Sequence, residues 1–464
     1  MKIFNTLTGK KDEFKPIKGK KVNLFVCGPT VYDYSHIGHA RTYVIFDAFV
    51  KYLRARGYKT FYLQNITDID DKIIARSREK GVTPKDLALA FEKEYLKDMK
   101  ALGVDSVSKY ARATDHIKEI ISQVQRLQEK GFAYEIAGDG IYYNIGKFKN
   151  YGKLAGRTAL QAEDSVTRID YSKDKKNRGD FCLWKFSVEP EPSWPAPFGS
   201  GRPGWHIEDT AITEKFFGPQ YDIHAAARDL IFPHHEAEVA QMEAISGKSP
   251  LVNYWMHGGF LTVNGQKMGK SLGNFIVLGD LLKRCPANYL RYFVVKNLWR
   301  SPVDYSESVM IEVKSAVDKI EEFLRKIHPV IRPGAPSRDG ARLIKEFKNR
   351  FYNELDDDFN TPKAFAVMFE FINKSNALLD KNQISKTQAS QVYKFFQETN
   401  KIFGIIDFKK VNKVIPAQIK KLAKLRDKYR LAKDWQKADE VRLQIEKQGF
   451  VVKDTSTGPD IKSL

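Results

Sequence analysis

No run of about 18 apolar residues, the stretch needed to span a bilayer, occurs in this chain of 464 residues. The opening MKIFNTLTGKKDEFK lacks the apolar core of a signal peptide, so a cytoplasmic location and no membrane partner are expected. Cysteine is scarce: Cys27, Cys182 and Cys285 are too few and too scattered for a disulfide framework, which fits a reducing compartment. Acid is in deficit. The 57 Asp/Glu stand against 77 Lys/Arg, and a formal charge of +20 favours a polyanionic partner through its long-range field and counterion release. With 42% hydrophobic residues there is apolar material for the two or three cores a chain of this length needs.

What is present is organised around residues 21–41, KVNLFVCGPTVYDYSHIGHAR. The run Val22 to Val26 predicts a buried strand and Gly28-Pro29 breaks it. The apolar spacing of Ile37, Ala40, Val44 and Phe49 then predicts a helix that Gly57 ends. In such a unit the helix's free N–H groups and positive dipole end point above the sheet, where a phosphate binds at little cost. His36 and His39, three apart in the first turn, face that anion together; a polar cap is the plainer use of the same residues.

Downstream, YKTFYLQNI (58–66) predicts a second strand with TDIDDKI at its carboxyl end, where α/β sheets collect ligands. Thr67, Asp68, Asp70 and Asp71 there suit an ammonium, a ribose, a metal or simply a capped helix start. Helices are expected from Pro84 to about Leu102, with Thr83 as N-cap, and from Asp115 to Lys130. Two β-rich runs around a Gly-Asp-Gly turn (132–145) and a charged stretch to about Gly179 suggest an inserted module. The Pro- and Gly-rich stretch Glu189 to Gly204 argues against regular structure and for a rigid loop near the site.

YDIHAA (221–226) is strand-like, and PHHEAEVAQMEAISG (233–247) predicts a helix from Pro233 to Gly247. His234 and Glu238, four apart, share one face, the geometry in which a helix offers two ligands to one metal; exposed pairs of this spacing are also common on solvated faces. Four of the nine histidines, His206, His224, His234 and His235, fall within 206–235 with Asp229 among them, and that density argues for a site. After an expected strand, YWMHGGFLTV, the turn NGQKMGKSLGN (264–274) sets Lys267 and Lys270 among glycines, a basic loop able to close over a polyphosphate.

From about Pro302 the pattern is helical, with segments 306–327, 338–355, 362–382 and 385–403 and a capped start at DDDFNTP. Residues 405–464 hold 15 Lys/Arg against 8 Asp/Glu, which suits either a solvated helical face or a nucleic-acid surface. A Tyr, a Trp and the closing FVVKD strand are expected to give this segment a small core.

Over essentially its whole length the chain resembles the class I aminoacyl-tRNA synthetases and, within them, the cysteinyl family. The HIGH signature stands at His36-Ile37-Gly38-His39 and a KMSKS-like loop at Lys267-Met268-Gly269-Lys270-Ser271, while NITDIDDKI, GRPGWHIE, DLIFPHHE and DDFNTP resemble family blocks. The resemblance implies an α/β fold. A Rossmann-type catalytic domain would be interrupted by an insertion and followed by a stem, a helical bundle and a small C-terminal domain. The expected boundaries are 1–120 and 201–300 for the two catalytic halves, 121–200 for the insertion, 301–404 for stem and bundle, and 405–464 for a basic anticodon-binding domain.

The implied activity is formation of cysteinyl-adenylate and pyrophosphate from L-cysteine and ATP, then transfer of cysteine to the 3′ end of tRNA(Cys), by a monomer. His36, His39, Lys267 and Lys270 would be catalytic. Gly28, Thr30 and Gly38, with His36, His39 and Lys270, would bind ATP and its Mg2+. Trp205, His224, Asp229 and Thr67 would line the amino acid pocket, and Cys27, Asp209, His234 and Glu238 would hold one Zn2+ per chain. The chain departs from the pattern at Asp209, where the family has Cys, at Ala225-Ala226-Ala227, where it is Gly-rich, and at Gly269, where it has Ser. Exchanging thiolate for carboxylate keeps the formal charge of the site and makes it harder. Two other functions share these motifs: a ligase that passes cysteinyl-adenylate to a small amine, which has no use for a basic tail, and an inactive tRNA-binding paralogue, which need not keep the signatures.

Overall fold

The structure, a computed structural model, describes residues 1–156, 172–269, 272–328, 338–413, 416–455 and 458–463. Part of the expected insertion and two residues of the lysine loop, Lys270 and Ser271, lie outside the described residues. By packing, the chain forms two compact units, one of Met1–Ser315, Arg342–Phe371 and Phe396–Ile405, the other of Ala316–Ala341, Ile372–Phe395 and Ile406–Leu464.

An antiparallel hairpin, β1 (Lys2–Asn5) and β2 (Lys10–Glu13), opens the first unit. The apolar run then forms β3 (Lys21–Val26), with Val22, Leu24, Phe25 and Val26 fully buried, as a strand covered on both faces requires. Helix α1 (Ile37–Ala55) follows, and β4 (Lys59–Ile66) pairs parallel to β3 in the register Leu24↔Tyr62. Helices α2 (Asp71–Lys80) and α3 (Pro84–Leu102) lead to β5 (Lys109–Arg112), parallel to β4. Asp70 caps α2 through Lys72 N–H and Thr83 caps α3 through Asp86 N–H, so the TDIDD run serves in part as a helix start.

Helix α4 (Ile117–Glu129) enters a second, antiparallel sheet, β6 (Ala133–Ile136), β7 (Gly140–Tyr143), β8 (Phe181–Phe186) and β9 (Gly201–Pro203). The expected Gly-Asp-Gly hairpin is present, with Gly138 at φ 71°. The expectation that 189–204 is wholly irregular is corrected: its last residues pair with β8 (Lys185↔Arg202). Proline is tolerated there because β9 is an edge strand.

The chain returns to the central sheet with β10 (Tyr221–Ala227) beside β3 and β11 (Val252–Gly258) beside β10, giving the parallel order β11-β10-β3-β4-β5. The order reverses between β3 and β10, so their carboxyl ends open the crevice where doubly wound sheets bind ligands. The helix between β10 and β11 spans Glu236–Ser246 and starts three residues later than expected. Phe232, extended ahead of a proline (φ −135°, ψ 133°), keeps His234 and His235 in a separate turn. The expected strand 254–263 is also two strands, since the chain leaves the sheet after Gly258 and Leu261–Val263 pairs with Gln266–Lys267 across an Asn264-Gly265 turn.

The helical part follows its periodicity closely, as Glu307–Ile327, Arg338–Asp356, Thr361–Asp380 and Lys386–Phe403. In the closing segment Ile419, Ala423, Val441, Ile445, Phe450 and Val452 make a small core with Tyr429 against it. Trp435 is not part of it. Placed first in its helix, it is 58% exposed.

Candidate functional site

At the carboxyl ends of β3 and β10 lies a cavity of about 590 Å3. The loop Cys27–Thr30 crosses it, the first turn of α1 forms one end, and the segment Trp205–Asp209 with His234 forms the floor. Gly28 is required at the crossing because a Cβ there would stand 1.7 Å from the carbonyl oxygen of Asn65.

At the helix end the expected free N–H groups are already used. His36 N–H donates to His39 Nδ1 at 3.2 Å, Gly38 N–H to His36 Nδ1 at 3.1 Å, Ile37 N–H to the Ile276 carbonyl at 3.1 Å and His39 N–H to the His36 carbonyl at 2.9 Å. The two imidazoles stack with centroids 3.8 Å apart. With each Nδ1 accepting, the neutral rings carry their proton on Nε2. Burial, and then His36, holds His39 well below the usual histidine range, so that ring is neutral. An anion at this end would meet imidazole Nε2–H groups rather than bare backbone, a correction to the simplest picture of a helix-start site.

The floor is built differently. Cys27 Sγ lies 3.1 Å from His224 Nε2 and 3.1 Å from His235 Nε2. His234 Nε2 lies 3.0 Å from Asp209 Oδ2 and 3.1 Å from Glu238 Oε1, and its ring stacks under Trp205 at 4.4 Å. Asp209 Oδ1 and both Glu238 oxygens are buried without a hydrogen bond of good geometry. Burial, reinforced by Asp209, pushes the Cys27 thiol and the Glu238 and Glu208 carboxyls well up. Burial pushes His224 and His235 well down, and His257 down to about 3. Carboxyl oxygens without partners beside a thiol and imidazoles are chemically suited to a divalent cation, since buried polar groups left unpaired are costly. Ligand atoms of Cys27, His234, His235 and Glu238 lie within 4.8 Å of one another.

Gly28, Thr30, Gly38, Asp229 and Lys267 also border the cavity, Asp229 and Lys267 from exposed positions. Thr67 lies on its wall and donates its hydroxyl to Glu208. His224 does not line the cavity: it is fully buried beneath Cys27, with Nδ1 2.7 Å from the Tyr221 hydroxyl. Glu208 has no role in the sequence reading, and His235 enters it only as one of the clustered histidines, without a ligand role. Glu208 stands beside Asp209 in the GWHIED run, and His235, beside His234, reaches the opposite side of Cys27 while its Nδ1 lies 2.7 Å from His257 Nε2. The doubled histidine in PHHE was the available signal.

Residues 13–315 match the model of the class I (C) tRNA synthetase catalytic domain and residues 350–407 that of the DALR domain. The chain is 42% identical to the cysteine–tRNA ligase of Thermococcus gammatolerans, over 99% of this chain and 98% of that one. It is 44% identical to the cysteine–tRNA ligase of Thermoplasma volcanium over 98% of each. In fold it is similar to Mycobacterium tuberculosis methionyl-tRNA synthetase in complex with methionyl-adenylate, with TM-score 0.60 and 15% identity over 83% of this chain and 90% of that one. It is similar also to the LeuRS of Agrobacterium radiobacter K84 in a ternary complex with tRNA and LeuAMS, with TM-score 0.64 and 11% identity over 85% of each.

Proposed function

The chain belongs to the cysteine–tRNA ligase family of class I tRNA synthetases, and from that premise we propose that its cavity joins L-cysteine to ATP and then passes cysteine to the 3′ end of tRNA(Cys). The observation that carries the reading is the floor, where Cys27, Asp209 and His234 line a nucleotide-sized cavity and Glu238 and His235 stand buried behind them, with carboxylate oxygens left without hydrogen bonds.

In the first step the cysteine carboxylate oxygen bonds to the α-phosphorus of Mg2+-bound ATP and the bond to pyrophosphate breaks. Such a step needs position and charge stabilisation more than covalent help. His36 and His39 offer neutral Nε2–H donors to the phosphates, and Lys267 and Lys270 meet the charge developing on the leaving pyrophosphate. Thr67, fixed by Glu208, and Asp229 at the rim orient the amino acid while Trp205 covers the floor.

Cys27, Asp209, His234 and Glu238 would hold a zinc ion. His235, whose Nε2 lies 3.1 Å from Cys27 Sγ, is the other candidate ligand at this site, and Asp209 is kept in the set because its Oδ1 is buried without a hydrogen bond. Zinc lowers a thiol's pKa and binds the thiolate far better than a serine hydroxyl, a distinction that an apolar pocket makes by only about 100-fold.

The basic segment 405–464 is assigned to the anticodon, supported by its excess of Lys/Arg and the exposed Trp435. A relative's length matched to 98% also favours a tRNA ligase over an enzyme acting on a small amine. A cytoplasmic monomer completes the proposal; among the described residues no helix is long and apolar enough to cross a membrane. The test is cysteine-dependent ATP–pyrophosphate exchange with metal analysis of the same preparation. Full activity and full rejection of serine in metal-free protein would overturn the zinc assignment, and absence of exchange would overturn the function.

A further inference from the structure

Two residues beyond His39, Arg41 is only 3% exposed, and its charge is not met by an acid: among the described residues no carboxylate pairs with it. Burial alone acts on the guanidinium, bringing it down to about 10, so it stays charged at neutral pH. Its partners are backbone carbonyls. Nη1 donates to Phe260, and Nη2 donates to Ser301 and, at 3.4 Å, to Trp299. The carbonyls belong to two segments laid against each other, for Gly259 N–H donates to the Trp299 carbonyl at 3.1 Å and Val303 N–H to that of Phe260 at 2.9 Å. The approach is so close that a Cβ on Gly259 would stand 2.3 Å from the Ser301 oxygen. Gly259, Phe260 and Thr262 in turn line the same cavity as His36, His39 and Arg41 itself.

We propose that Arg41 is a positioning residue for ATP: its planar fork ties the 259–262 wall to the helix that carries His36 and His39, and so sets the span across which the nucleotide is held. The proposal rests on the ATP site described above. A rigid fork with fixed donor directions reaches several carbonyls at once, which the point charge of lysine does not. Cysteine, which binds at the floor, makes no use of this span, so the two substrates should respond differently.

The experiment is pyrophosphate exchange with Arg41→Lys and Arg41→Gln, reading KM for ATP and for cysteine separately. Because a displacement of about 1 Å in a bound geometry can cost on the order of 100-fold, the expected result is an ATP KM raised at least about 10-fold in Arg41→Lys with the cysteine KM within about twofold of wild type. An unchanged ATP KM in a folded variant, or equal rises for both substrates, overturns the proposal. Should neither variant fold, amide hydrogen exchange on the wild-type protein decides: ATP alone is expected to slow exchange at residues 259–262 while cysteine alone does not, and no ATP-dependent protection there overturns it. The test is separable from the proposed function, because failure of the function removes exchange from wild type, whereas failure of the Arg41 role leaves wild type active.

Discussion

At the floor of the cavity buried oxygens of Asp209 and Glu238 go without hydrogen bonds, whereas at the start of α1 the N–H groups of residues 36 to 39 are all bonded within the chain. In the proposed function both ends take a charged ligand, and they differ in how their own polar groups are satisfied. A cation needs ligand atoms converging at fixed distances, so the floor holds its donors in place and accepts the cost of unpaired buried groups. A phosphate that comes and goes each turnover needs only hydrogen-bond donors at hand. The helix end closes itself with His36 and His39 through their Nδ1 atoms, stable in both conditions.

The sharpest way to break this contrast is at the floor. Chelation, or Glu238→Ala, is expected to lower cysteine-dependent exchange by well over about 100-fold, more than disturbing the outer shell of a metal site costs. At the same time Glu238→Gln should stabilise the metal-free protein by roughly 1–3 kcal/mol, since it removes a buried carboxyl whose ionisation burial and the neighbouring Asp209 oppose. Denaturant titration of chelated samples checks the second half; a destabilised Glu238→Gln apoprotein would mean the floor is not under strain.

At the helix end the capping and phosphate roles separate. His36→Asn keeps a side-chain oxygen to accept Gly38 N–H but has no Nε2–H, so adenylate formation should slow by about 100-fold while the melting temperature stays near wild type. His39→Ala, losing the cap as well, should in addition cost about 1 kcal/mol. Rapid-quench adenylation and calorimetry on the pair would show whether a loss of rate always travels with a loss of stability, which the contrast forbids.

The ends should also differ in their response to pH. Burial lowers the folded-state pKa of His39, so its contribution to stability is full above the unfolded histidine value of about 6.5 and is lost as pH falls below it, at up to about 1.4 kcal/mol per pH unit. Burial raises Glu208 and Glu238, so in metal-free protein their contribution is full below the unfolded carboxyl value of about 4.3 and is lost as pH rises above it. Comparing the pH slopes of stability for His39→Asn and wild type between pH 7.5 and 5.5, the variant should be the flatter. Equal slopes would remove His39 from the account.

The smallest effect expected is at Ala226, fully buried in β10 behind the floor. Ala226→Gly should cost roughly 0.5–1 kcal/mol through backbone entropy and leave the exchange rate within twofold, by urea melts and kinetics on one preparation. A large loss of rate would mean that the floor depends on the stiffness of the strand beneath it.

Local periodicity and capping chemistry determined the strand–loop–helix at 21–55, α3 with its Thr83 cap and the four long helices of the second half, because those patterns act over a few residues. Resemblance to a family, rather than periodicity or spacing, placed Cys27, Asp209, His234 and Glu238 in one proposed site. Only the tertiary structure decided that His235 reaches Cys27, that His224 lies beneath the site instead of lining it, and that Trp435 stays outside the small C-terminal core. The same holds for β9, whose pairing with β8 no Pro- and Gly-rich pattern announces, and for the N–H of Ile37, satisfied by the carbonyl of Ile276 far along the chain. Such outcomes depend on which segments meet across hundreds of residues, and a hydrogen bond between distant segments leaves no periodic trace in either of them.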